Sequence, residues 1–100
     1  DVEGVRCVAQ VRTIRARLLM HREAHGTLPE GLDALRAPHI PAATFLVPES
    51  GEPYTYLGPA GKGGILLHGR PNGRDRAVTV LTMEFEVRRV SEAELSALLK

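Results

Sequence analysis

The sequence predicts an α+β fold: one long N-terminal helix packed on a small antiparallel sheet of three to four strands, with a short C-terminal helix. Three observations predict it. Residues 1–25 are rich in good helix formers and carry apolar residues at helical spacing. Residues 26–53 contain a glycine stop and five of the seven prolines. Residues 54–90 are short β-branched and aromatic runs separated by glycine- and proline-rich turns. At 100 residues the chain is one domain, 1–100, and its 43% apolar content suffices for one modest core.

In the first helix, Val8, Val11, Ile14, Leu18 and Leu19 form the expected inner stripe, with Cys7 beside it. Gly26 supplies a left-handed C-cap after His25, whose side chain suits a helix C-terminus. Pro29 fits the first turn of a new short helix, with Thr27 as its N-cap and Leu32 and Leu35 facing the core. Pro38, Pro41, Pro48 and Pro53 exclude a regular helix or central strand from 36–53. This segment reads as a crossing loop pinned by Ile40, Phe45, Leu46 and Val47.

Four strands follow: Tyr54–Leu57, Ile65–His68, Val78–Leu81 and Phe85–Arg88. Gly58–Gly64 is a turn or tip, and residues 69–76 form a polar loop. Ser91 with Glu94 three residues on matches a capping box and opens the C-terminal helix, 91–100, whose apolar side is Leu95, Leu98 and Leu99.

The net charge of +1 argues against a whole-molecule nucleic-acid footprint, and no nucleic-acid partner is expected. The charge is uneven, however. Arg6, Arg12, Arg15, Arg17 and Arg22 stand in the first quarter against Asp1, Glu3 and Glu23. Arg70, Arg74 and Arg76 give the polar loop a second basic cluster, suited to an anionic partner or simply to solvent. No apolar run reaches the ~18–20 residues that span a bilayer, and no signal peptide is visible. The chain opens abruptly in a helix with no initiator methionine, so an anchor is expected upstream of it.

His21 and His25 lie four apart on one helical face, a spacing that can chelate zinc. The stretch His-Arg-Glu-Ala-His lacks the glutamate directly after the first histidine that a metalloprotease helix needs, and Arg22 disfavours a cation nearby. The pair reads as helix C-terminal histidines, and no metal or cofactor is expected. Cys7 and His21 are ~21 Å apart along one helix at ~1.5 Å per residue, too far for a nucleophilic pair; Cys7 reads as a small core residue. Ser50 and Ser91 have turn and cap roles, and no nucleophile elbow exists. Gly61-Lys62-Gly63-Gly64 lacks the frame of a phosphate loop and reads as a hairpin tip. Glu84 and Glu86 read as the solvent side of an alternating strand, and Tyr54 and Tyr56 as packing groups. No catalytic residue is expected.

Three segments in order resemble the globular domains of type II secretion pseudopilins and related bacterial prepilin-like proteins. They are Ala24-His25-Gly26-Thr27-Leu28-Pro29 with Leu32 and Leu35; Ile40-Pro41-Ala42 leading to Pro48-Glu49-Ser50-Gly51-Glu52-Pro53-Tyr54-Thr55-Tyr56; and Val80 through Ser91. The sequence departs from the family pattern in three places. Glu84-Phe85 replaces the Asp-Gly turn of the last hairpin, which counts against a tight two-residue turn. His21 stands where relatives often have an aromatic residue. Asp75 is the only acid between Glu52 and Glu84, so the acidic calcium loop of major pseudopilins is not carried over.

The resemblance implies a pilin-like fold and a non-enzymatic assembly role. It places the domain on the extracytoplasmic, periplasmic side of the bacterial cytoplasmic membrane, attached through an N-terminal helix not contained in this chain. The partners it implies are other pilin-like subunits or secretion-system proteins. Val8, Val11, Ile14 and Leu18 would pack there, and Arg12, Arg15 and Arg17 would pair with charges on neighbours. The alternative is a sensory or ligand-binding module of a larger membrane-anchored protein, read by the loop at 69–76.

Overall fold

A computed structural model describes residues 2–35, 40–48, 50–58 and 63–100. The expected positions Asp1, 36–39 with Pro38, Glu49, and 59–62 of the glycine-rich tip lie outside the described residues. The fold is α+β, in the expected order and consistent with a pilin-like arrangement. Helix α1 (Val2–His25) comes first, and strands β1 (Thr55–Tyr56), β2 (Ile65–His68), β3 (Val78–Thr82) and β4 (Val87–Val90) follow, with helix α2 (Glu92–Leu99) last. The sheet is an antiparallel meander in the order β1-β2-β3-β4.

The 24 residues of α1 extend about 36 Å at 1.5 Å per residue, matching the molecule's longest dimension of 37 Å. Its inner line is Cys7, Val11, Ile14 and Leu18, all 0% exposed. Val8 and Leu19, expected in that stripe, are only half-buried, because each sits 100° round the helix from Cys7 or Leu18. The inner line packs on Leu66, Leu67 and Leu81 of the sheet and on Leu35, Phe45, Val47 and Tyr54 of the crossing segment. Helix α2 covers the opposite face of the sheet. There Leu95 meets Ile65, Val78, Val80 and Val90. Burial on both faces explains why all five residues of β3 are buried, Thr79 and Thr82 included, without the in-out alternation of a half-exposed strand.

A register shift between Ile65 and Leu67 distributes β2 between the two layers. In a regular strand residues 65 and 67 would share a face. The extra residue turns Ile65 toward α2 and both Leu66 and Leu67 toward α1. At the start of β2, Gly63 has φ +64, and a Cβ there would overlap the Leu98 carbonyl. The end of α2 therefore rests on bare backbone.

The joint after α1 differs in part from expectation. Gly26 does take the left-handed cap, at φ 81, and its N–H donates to the Arg22 carbonyl at 2.7 Å. The restarted helix, however, is a 3-10 turn, Leu32–Leu35, and Thr27 does not cap it. The Thr27 carbonyl meets the His21 ring instead, and the Pro29 carbonyl accepts from the Tyr56 hydroxyl at 2.6 Å. Both groups are held by contacts outside the short turn. A second 3-10 turn, Ala42–Phe45, follows Pro41. One such turn fits between prolines where an α-helix does not.

Strand β1 is shorter than expected because the Tyr54 N–H turns away to the Phe45 carbonyl at 3.3 Å. Strand β4 begins two residues late. Met83, Glu84 and Phe85 form a three-residue turn, closed by Phe85 N–H to the Thr82 carbonyl at 2.9 Å and Thr82 N–H to the Glu86 carbonyl at 2.9 Å. Phe85 occupies the left-handed position at φ 65, which glycine usually fills. Helix α1 holds it there: the Arg22 guanidinium lies 4.7 Å from the Phe85 ring centre, and Arg15 Nη1 donates to the Phe85 carbonyl at 3.4 Å. The last hairpin thus forms around Glu84-Phe85 with a longer turn than Asp-Gly makes. Helix α2 is capped as expected by Ser91, whose Oγ accepts from the Glu94 N–H at 3.0 Å.

Candidate partner-binding face

Helix α1 carries a second line of small and apolar residues opposite its core line. Val2, Val5, Ala9, Thr13, Ala16 and Met20 recur every three or four residues, and all are exposed. Val2 is 72%, Val5 68% and Met20 57% exposed, three of the four large apolar side chains most open to solvent among the described residues. Thr13 adds little polarity, since its hydroxyl donates back to the Ala9 carbonyl at 3.2 Å. A helix packed on one side only is expected to be polar on the other.

At the N-terminal end this ladder borders a groove of about 450 Å³. Gly4, Val5, Val8 and Ala9 give it an apolar floor, and Arg12, Asp75 and Arg89 line its polar side. Arg89 organises that side. Its Nη1 donates to Asn72 Oδ1 at 3.0 Å and Thr79 Oγ1 at 2.8 Å, and its Nη2 to Asp75 Oδ1 at 2.7 Å and the Asn72 carbonyl at 2.8 Å. Asn72 and Thr79 are 0% exposed, so this arginine satisfies polar groups that water cannot reach. The Arg89 hydrogen bond, seconded by the Ala77 N–H, holds the Asp75 carboxyl below its ordinary value.

Sequence reasoning missed Arg89. The signal was available: Phe85, Val87 and Arg89 alternate onto one face, and Thr79 is the polar interruption opposite it.

The structure brings only some of the expected partner residues to this face. Val8 and Arg12 line the groove. Val11, Ile14 and Leu18 do not belong to a partner surface as the domain is folded, because they are wholly consumed by its own core. Arg15 is half-buried against the Phe85 turn, which gives it an internal role. Arg17 is half-buried on the flank of α1. Arg70 forms an ion pair with Glu52 at 2.9 Å, both side chains being 53% exposed. Arg74 and Arg76 are exposed on the loop that Arg89 anchors, Arg76 at φ 53.

A polar thread ties α1 to the crossing segment. The Cys7 Sγ and the Tyr54 hydroxyl are 3.2 Å apart, the hydroxyl donates to Gln10 Oε1 at 2.8 Å, and Gln10 Nε2 donates to the Ala43 carbonyl at 3.1 Å. Burial, with the Cys7 contact second, pushes the Tyr54 phenol far above its ordinary value, so it remains a neutral donor. Among the described residues, no group of three or more His, Cys, Asp or Glu side chains is placed to hold a metal, and no helix is long and apolar enough to cross a membrane.

Comparison with protein families, characterised proteins and solved structures returns no match for this chain.

Proposed function

We propose that this chain is the globular part of a pilin-like or pseudopilin-like assembly subunit, working through protein–protein contacts without catalysis. One observation carries the reading: the exposed ladder Val2, Val5, Ala9, Thr13, Ala16, Met20 on the side of α1 away from its core. A neighbouring helix laid along it would meet small side chains that permit close approach and valines that lose water on contact. Arg12 beside the ladder supplies a charge for register. In this reading α1 continues upstream into a membrane helix, the domain lies on the periplasmic side, and its partners are other pilin-like subunits or secretion-system proteins. The order of the helix stop, the proline-bearing crossing segment and the meander supports the same resemblance.

The test uses the full-length gene product. The protein should fractionate with membranes through an apolar segment preceding Val2, and cysteines placed at Ala9 or Ala16 should cross-link copies of the subunit or a pilin-like neighbour. A full-length protein with no apolar segment upstream, or cysteines that never cross-link, would overturn the proposal.

The groove next to the Arg89-anchored loop favours a second reading, an extracytoplasmic ligand-binding module of a larger membrane protein. A cytoplasmic signalling domain in the full-length protein, in place of a short processed leader, would select it.

A further inference from the structure

We propose that His21 and His25 form a two-histidine site for a divalent transition metal such as zinc(II), at the C-terminal end of α1. The two rings project from successive turns of one helix face, with centroids 4.3 Å apart and planes inclined by 35°. Histidines at i and i+4 on one helical face can each turn a ring nitrogen to a shared zinc ion at ~2.0–2.1 Å, and the closeness of these two rings puts them within reach of such an ion.

The His21 tautomer is set for it. His21 Nδ1 lies 3.2 Å from the Thr27 carbonyl oxygen. That oxygen can only accept, so Nδ1 carries the hydrogen and Nε2 of the neutral ring keeps its lone pair. A histidine that donates its other nitrogen to a backbone carbonyl is the usual arrangement around a metal. Gly26 makes the contact possible, because its left-handed turn carries the chain back over the last turn of α1.

The charge that opposed a cation in the sequence is also placed elsewhere: the Arg22 guanidinium is engaged on the Phe85 ring, 4.7 Å from its centre. Both histidines face solvent on at least part of their surface, so an ion has access and water can complete the coordination. With no third side-chain ligand in a cluster among the described residues, the site holds its metal by two protein ligands. Bridging successive helical turns, the metal would fasten the end of α1 next to the loop that carries Thr27 and Pro29.

Zinc titration of the intact chain, read by calorimetry and by the imidazole ¹⁵N resonances, tests this. One zinc per chain should bind, the His21 and His25 ring signals should shift together, and His21→Gln or His25→Gln should each weaken binding at least tenfold. Replacing the other two histidines, His39 and His68, should leave affinity unchanged. The proposal is overturned if only one of the two rings responds, or if His25→Gln binds zinc within twofold of the parent chain.

Discussion

The two sides of α1 are built from similar residues and meet opposite fates. The inner line, Cys7, Val11, Ile14 and Leu18, is 0% exposed and locked against the sheet. On the outer line every residue from Val2 to Met20 is exposed. A helix that only had to hold this domain together would need the first line alone. The outer line contributes nothing to the monomer's core, and in the proposed function it is the surface that would meet a neighbouring helix. The comparison separates what the fold requires from what it leaves available.

Substitutions on the two lines should therefore differ in kind. Leu18→Ala on the inner line should cost about 2–5 kcal/mol in urea unfolding, since a fully buried leucine leaves a cavity. Arg89→Ala comes next, at about 1–3 kcal/mol, because it strands Asn72 and Thr79 in the interior. Its effect should extend to the 72–77 loop, visible as faster amide exchange there. Ser91→Ala should cost about 1 kcal/mol by removing the cap of α2, with the α1 side of the molecule unaffected.

A smaller effect is expected at Asp75, and it depends on pH. Its folded value is depressed, so the stability it contributes is complete above the unfolded value of ~4 and is lost as pH falls through the lower folded value. The difference in urea midpoint between the parent chain and Asp75→Asn should shrink on acidification below about pH 4. A constant difference would show that Asp75 does not report the Arg89 contact.

Much of the architecture was legible in the sequence. The 3.6-residue spacing of Val11, Ile14 and Leu18, the Gly26 stop and the Ser91 cap all act locally, so their outcomes could be read locally. The departures share a physical origin in long-range contacts. Tyr54 and Tyr56 divert backbone and hydroxyl groups to Phe45 and Pro29, which shortened β1 and replaced the expected helix after Pro29 with a later 3-10 turn. Arg15 and Arg22, distant in sequence, hold Phe85 in a conformation its own residue type disfavours.

Of the residues expected to meet partners, Val8 and Arg12 line the groove, whereas Val11, Ile14 and Leu18, expected to serve the sheet as well as neighbours, lie wholly in the core. Sequence spacing overlooked Arg89, whose role depends on Asn72 and Asp75 arriving from the preceding loop. The outer line itself went unread because alanine and threonine carry little hydropathic contrast.

The most direct test of the outer line is Ala16→Glu in the full-length protein, scored for both stability and assembly. The substitution lies on an exposed helical position, so unfolding should change by no more than about 0.5 kcal/mol. Cross-linking into higher assemblies should nevertheless be lost. Unchanged stability together with unchanged assembly would contradict the claim that this face is an interface.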